Sequence, residues 1–274
     1  KKLLPQYYLP TIVVSSSVEQ KKAALDAGAV DFVQKPLART NAEMQAFAAE
    51  IASAVKKAHS DNDGNSRPEP TITHTELRPA TGRFRKTDVV LAFGASTGGT
   101  EALEKVIREL PADSPATLVV QHMPAGFTKM YSERLNRSCK MEVKEAEDGD
   151  RLRRGLVIIG AGEHHLRLCR DTLGYYVSSR PGEKVSGHCP SVDVLFTSVA
   201  ETAGGNSIGV ILTGMGHDGA DGLLKMRQAG AFTIGQDKET CVVYGMPMEA
   251  YKIGAVQVQA PLYKIAGVIQ DQLI

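Results

Sequence analysis

The sequence predicts an α/β protein: a doubly wound, mainly parallel sheet with helices on both faces, a small antiparallel hairpin, and a shorter strand–helix segment in front. Three observations carry this. From Asp88 onward, apolar strand-like runs alternate with segments of helical periodicity, the pattern of strands joined by covering helices. Leu103, Val106, Ile107 and Leu110 fall at i, i+3, i+4 and i+7, one face of a helix, and Val192, Leu195, Phe196 and Val199 repeat that spacing. Finally, "LRLCRDTLGYYVSS" reads as two strands joined by a tight turn, beside the main sheet.

Taken in order, residues 1–58 read as strand ("TIVVSS"), helix ("VEQKKAALDAG"), strand ("VDFVQKP") and a helix from about Asn41 to Ala58. Residues 59–87 are polar, bear prolines and lack hydrophobic periodicity, so a linker is expected there. Residues 88–274 form the main domain, with strands expected at 88–94, 117–121, 156–161, 208–214, 232–235 and 256–259. Pro190-Ser191 marks the start of the second helical stripe.

Composition bounds the function. Of 274 residues, 42% are hydrophobic and 23% charged, and the formal net charge is +1, which gives no reason to expect nucleic acid or an anionic membrane as partner. No apolar run is long enough to span a bilayer, so no membrane insertion is expected. The four cysteines are widely spaced without a Cys-x-x-Cys pair, as in a reducing cytoplasm, the expected location.

The chemistry centres on "LAFGASTGGTEAL" (91–103), where an apolar strand runs into Ser96 among Gly94, Gly98 and Gly99. A dinucleotide fingerprint needs G-x-G-x-x-G and an acidic residue ending the next strand; here Ser96 replaces the middle glycine and the next strand ends in Gln121-His122. A Walker A loop needs a lysine that is absent. Gly94-Ala95-Ser96-Thr97-Gly98 does satisfy G-x-S-x-G, a nucleophile on a tight strand-to-helix turn, with the helix N-terminus facing a developing oxyanion.

Such a serine needs a base and a carboxylate. His122 closes the next strand, and Asp218 lies just beyond strand 208–214 in the glycine-rich "GMGHDGA". Ligands of open α/β sheets bind outside the carboxyl ends of strands, where these three side chains can meet as nucleophile, base and orienting acid. Two rivals stay open on spacing alone. Ser96, Asp193 and His217 satisfy the α/β-hydrolase order, and Asp218 alternatively caps the helix that follows it. His164 and His165, being adjacent, point to opposite faces of a strand and make a poor shared metal site.

The blocks "GASTGGTEAL", "VVQHMPAGFT", "CPSVDVLF", "TGMGHDGADGL" and "VVYGMPMEA", in that order, resemble the protein-glutamate methylesterases of bacterial chemotaxis. The resemblance implies hydrolysis of glutamyl methyl esters, and deamidation of particular glutamines, on chemotaxis receptors. It implies neither cofactor nor metal. It places nucleophile, base and acid on Ser96, His122 and Asp218, and oxyanion donors on Thr97 and Met215. A substrate rim is expected from Met123, Phe127, His188, Met246 and Pro247. "IVVSSS" and "ALDAGAVDFVQKPLA" are similar to the second half of a flavodoxin-like receiver domain, with Ser15, Phe32 and Lys35 at the switch positions. The phosphoacceptor of such a domain falls earlier than Lys1, so this sequence is expected not to accept phosphate, although a histidine kinase would be the intact receiver's partner. A monomer is expected. The competing readings are a receptor-binding module without turnover and a serine esterase of another substrate class.

Overall fold

The computed structural model describes residues 11–17, 19–36, 40–60, 84–85 and 89–273, and the chain divides into two units, 1–72 and 73–274. In the first, β1 (Ile12–Ser15) pairs in parallel with β2 (Asp31–Gln34). The helix α1 (Gln20–Asp26) connects them and α2 (Asn41–Ser60) follows. Phe32 and Val33 of β2 and Ala54 and Ala58 of α2 are buried. Ser15 Oγ donates to Gln20 Oε1 over 3.0 Å, and the Lys35 N–H donates to the Ser15 carbonyl over 2.9 Å.

Most of the expected linker, with His74, lies outside the described residues. At the front α2 runs on to Ser60. At the back the Phe84 N–H donates to the Gln272 carbonyl over 2.6 Å, attaching Phe84 to the C-terminal turn of the second unit.

The second unit runs β3 (Val90–Ala95), α3 (Gly99–Glu109), β4 (Ala116–Gln121), α4 (Phe127–Ser138), β5 (Glu142–Glu145), β6 (Leu156–Ile159). The hairpin β7 (His164–Asp171) and β8 (Gly174–Pro181) comes next, then α5 (Val192–Thr202), β9 (Ser207–Ile211), α6 (Ala220–Gln228), β10 (Phe232–Gln236), α7 (Met246–Lys252), β11 (Val258–Ala260) and α8 (Leu262–Asp271). Seven strands form one parallel sheet in the order β11-β10-β9-β3-β4-β6-β5, and β7 and β8 form a separate antiparallel pair. Six of the seven match expected strands, with every end within three residues of its expected position. The seventh, β5, reads "EVKE" and buries only Val143, too little apolar signal to stand out in sequence.

Side chains alternate across β3, which is buried along its whole length. Leu91 and Phe93 pack with Leu103, Val106 and Ile107 of α3 and Ile265 and Ile269 of α8. Val90 and Ala92 face the other way, toward Leu195, Phe196 and Val199 of α5. The two apolar stripes seen in the sequence therefore cover opposite faces of one sheet. Leu103 is fully buried on α3, and Leu103→Ala is expected to lower unfolding stability by about 3 kcal/mol, measured by urea denaturation.

The order of the sheet positions the site. From β3 the chain passes through α3 to β4 on one side, and it reaches β9 on the other side only after the hairpin and α5. The connection thus reverses direction at β3, and the crevice outside the carboxyl ends of β4, β3 and β9 is where such sheets accept ligands.

Candidate active site

Ser96 stands one residue beyond β3, and its N–H donates to the Thr213 carbonyl over 3.0 Å. Gly98 opens α3 with φ +80°, a left-handed conformation that disfavours side chains, and a Cβ there would also lie 2.6 Å from Val242 Cβ. A Cβ on Gly214 would lie 2.8 Å from Ser96 Cβ and 2.3 Å from Met246 Sδ. Gly214 therefore lets its strand end approach Ser96 closely, with residue 215 following it, while Gly98 leaves room for Val242. No acceptor within the described residues is bonded to the N–H of Thr97 or of Met215.

β3 and β4 pair with Ala95 opposite Gln121, so Ser96 and His122 leave adjacent strands at the same level. The His122 N–H donates to the Ala95 carbonyl over 3.1 Å. His122 Nε2 lies 2.7 Å from Asp218 Oδ2, with the two side chains only 8% and 1% exposed. A carboxylate can only accept, so Nε2 carries a proton, and in the neutral ring Nδ1 presents its lone pair. That Nδ1 is buried and has no partner within the described residues, and Ser96 Oγ is likewise unbonded there.

Asp218 is held more tightly than its place in a loop suggests. Its Oδ1 accepts from Ser191 Oγ (2.7 Å) and the Asp193 N–H (3.0 Å), and its Oδ2 also accepts from the Val192 N–H (2.8 Å). Burial raises its pKa, but the hydrogen bonds from His122, Asp193, Ser191 and Val192 outweigh that and hold it below the ordinary carboxylate range. The capping rival is therefore half right and misplaced. Asp218 does not cap α6, whose N-cap is Gly219 without a side-chain bond; it serves the first turn of the neighbouring helix α5 instead, on the same face of the sheet. The hydrolase-order rival fails on contacts. Asp193 accepts from the Gly222 N–H (2.8 Å) and Ser186 Oγ (3.2 Å), its pKa is raised by burial, and no hydrogen bond joins it to the exposed His217.

His188 stacks on His122, with ring centroids 3.7 Å apart and planes 11° from parallel. Burial first, then the neighbouring His122, lowers its pKa, so the partner ring presents a neutral face. His122, Met123, Pro124, Lys184, Gly187, His188, Cys189 and Pro190 line a shallow cleft of about 200 Å³. A larger cavity of about 440 Å³ runs along the hairpin, between His165, Arg167 and Arg180, and touches none of the three.

Met123 and His188 line this cleft, and Phe127, 56% exposed, opens α4. Met246 and Pro247 need correction. Both are buried in the first turn of α7, and the Met246 side chain packs into the core beneath Gly214 rather than onto a rim. Sequence reasoning misses Ser191 and Lys184, since a serine before an apolar stripe signals only a helix start and a lone lysine signals nothing. His164 and His165 belong to β7, and among the described residues no group of His, Cys, Asp or Glu is arranged to hold a metal ion.

A serine at a strand-to-helix turn, beside an imidazole bonded to a buried carboxylate at the carboxyl edge of a parallel sheet, defines a doubly wound enzyme of the serine-hydrolase class. The sequence matches the family model "CheB methylesterase" over residues 91–269. It is 49% identical over 262 residues (96% of this chain, 75% of the relative) to protein-glutamate methylesterase/protein-glutamine glutaminase 2 of Syntrophomonas wolfei. It is 47% identical over 279 residues (100% of this chain, 79% of the relative) to the protein-glutamate methylesterase/protein-glutamine glutaminase of Syntrophotalea carbinolica. Among solved structures, the Thermotoga maritima CheB methylesterase catalytic domain superposes with a TM-score of 0.66 at 38% identity, covering 68% of this chain and 98% of that one. The chain belongs to the CheB methylesterase family.

Proposed function

We propose that this chain hydrolyses glutamyl methyl esters, and deamidates particular glutamines, on chemotaxis receptors, with Ser96 as nucleophile, His122 as base and Asp218 as orienting acid. The observation that carries the reading is the 2.7 Å bond from His122 Nε2 to Asp218, which leaves Nδ1 without a partner on the strand next to that of Ser96. Ser96 Oγ attacks the ester carbonyl carbon as its proton passes to His122 Nδ1. The N–H groups of Thr97 and Met215 receive the oxyanion. His122 then protonates the departing oxygen, methanol leaves, and an acyl-serine remains. Water attacks that ester with its proton going to His122, and collapse frees the glutamate and restores Ser96. A glutamine follows the same course with ammonia as the leaving group. The bond between Ser96 Oγ and Nδ1 forms as the substrate seats, as is common for sites that are loose when empty.

The open cleft lined by Met123 and His188, with Phe127 beside it, suits a side chain presented on a receptor's surface. The first unit is read as the C-terminal part of a receiver domain, with Ser15, Phe32 and Lys35 at its switch and a histidine kinase as partner. The division falls at residues 1–58, a linker at 59–87 and the catalytic domain from 88. We place the protein in the cytoplasm as a monomer; no helix among the described residues is long and apolar enough to cross a membrane.

The test is release of methanol from receptor membranes carrying labelled methyl esters. Release is expected from the parent chain and from His217→Ala, while His122→Gln should fall by about 10³-fold. An active His122→Gln beside a dead His217→Ala would return the reaction to the rival order. A parent that binds these membranes and releases nothing would make it a binding module, and turnover confined to small esters would change the substrate class.

A further inference from the structure

Gln121 ends β4 and is 2% exposed, a polar amide where an aliphatic side chain would fill the same volume. Its Nε2 spends both hydrogens on catalytic backbone, donating to the Ser96 carbonyl over 2.9 Å and to the His122 carbonyl over 3.2 Å. Its Oε1 is buried without a partner within the described residues. A Cβ on Gly99 would lie 2.1 Å from that oxygen, so the amide occupies a slot that the glycine leaves open. Packing alone does not account for a buried amide with one end unsatisfied.

The peptide unit does. The Ser96 carbonyl and the Thr97 N–H belong to one planar amide. That carbonyl accepts twice from behind, from Gln121 Nε2 and from the Gly99 N–H at 2.8 Å. Loading the oxygen fixes the plane of the amide and polarises its N–H. The peptide carrying the Met215 N–H is treated alike, because the Gly214 carbonyl accepts the N–H groups of Gly245 (3.1 Å) and Met246 (2.8 Å). Backbone supplies all the support on that side. On the Thr97 side half of it comes from one side chain.

We propose that Gln121 is a positioning residue: it sets the Ser96–Thr97 peptide so that the Thr97 N–H meets the oxyanion, and it ties that peptide to His122. This rests on the acyl-transfer reading above. Q121M removes the donors at similar volume, and Q121E keeps the shape while replacing the amide donors with a carboxyl group.

Both variants are to be made in the full chain. Methanol release gives kcat and KM, a fluorophosphonate gives the rate of Ser96 phosphonylation, and thermal unfolding reports folding. Q121M is expected to lower kcat on the order of 10- to 100-fold with KM within about twofold, and phosphonylation should slow with it. In Q121E the ionised carboxylate faces two carbonyl oxygens with nothing to donate; once protonated it regains one donor. The activity of Q121E relative to parent should therefore rise from pH 8 to pH 6, while the ratio for Q121M stays flat. A folded Q121M with kcat within twofold of parent, a change in KM alone, or a flat Q121E ratio each overturns the proposal. If Q121M does not fold, the Q121E profile decides. A parent phosphonylated at Ser96 that releases no methanol loses its substrate assignment, and the Gln121 comparison is then read from phosphonylation. A parent unlabelled at Ser96 loses both.

Discussion

Ser96→Ala is expected to lower kcat for methanol release by about 10³-fold or more while leaving the unfolding midpoint within a few degrees of the parent. The two halves of that expectation have separate causes. The Ser96 hydroxyl makes no hydrogen bond among the described residues, whereas the Ser96 backbone bonds to Thr213, Gly99 and Gln121, and alanine preserves all three. Nothing in the core moves when one half-buried oxygen is removed. Catalysis by contrast loses the atom that becomes the acyl ester, and only the oxyanion donors and the bound geometry remain to speed attack by water. Calorimetry beside the methanol assay reads both. Turnover close to the parent's would sink the assignment of the nucleophile.

Asp218→Asn is expected to fail on both counts, lowering kcat roughly 10³-fold or more and stability by about 2–3 kcal/mol. The carboxylate accepts from His122 Nε2, Ser191 Oγ and the N–H groups of Val192 and Asp193. An amide turns an NH₂ toward some of these donors, which unseats the His122 tautomer and leaves the first turn of α5 unsatisfied. The pH dependence follows with a definite sign. Asp218 is held below its usual 3.8 in the folded chain, so its contribution to stability is complete above that value and is lost as pH falls through the folded pKa. The stability gap between parent and Asp218→Asn should thus be level from pH 8 to 5 and narrow below about pH 4. His188, lowered from 6.5 chiefly by burial, costs parent and variant alike some stability as pH falls below 6.5, a loss that belongs to each protein's own curve and not to the gap between them. A gap that widens in acid would mean Asp218 is not ionised in the fold.

Much of this is legible in the residues alone. The two apolar stripes place α3 and α5, and Gly94, Gly98 and Gly99 around Ser96 mark a crowded turn, because helical periodicity and small residues are local signals. His122 and Asp218 emerge from asking which polar residues stand just past apolar strands, a rule of topology rather than of contact. What stays hidden depends on partners distant in sequence. Met246 looks like any methionine near a Gly-Met-Pro turn, and only the fold shows it packed beneath Gly214. Ser191 announces a helix start and gives no sign of its bond to Asp218, 27 residues on. β5 is invisible since "EVKE" alternates charge around a single buried valine.

The ends of the main sheet are short and uneven. β11 offers three residues at one margin, and at the other β5 offers four, of which Glu142, Lys144 and Glu145 carry charge. A strand from another molecule would gain few rungs on either flank and would meet charged side chains on the longer one. Lateral growth of the sheet into aggregates is thereby discouraged, and this crowded fold is protected at its margins while its catalytic mouth stays open.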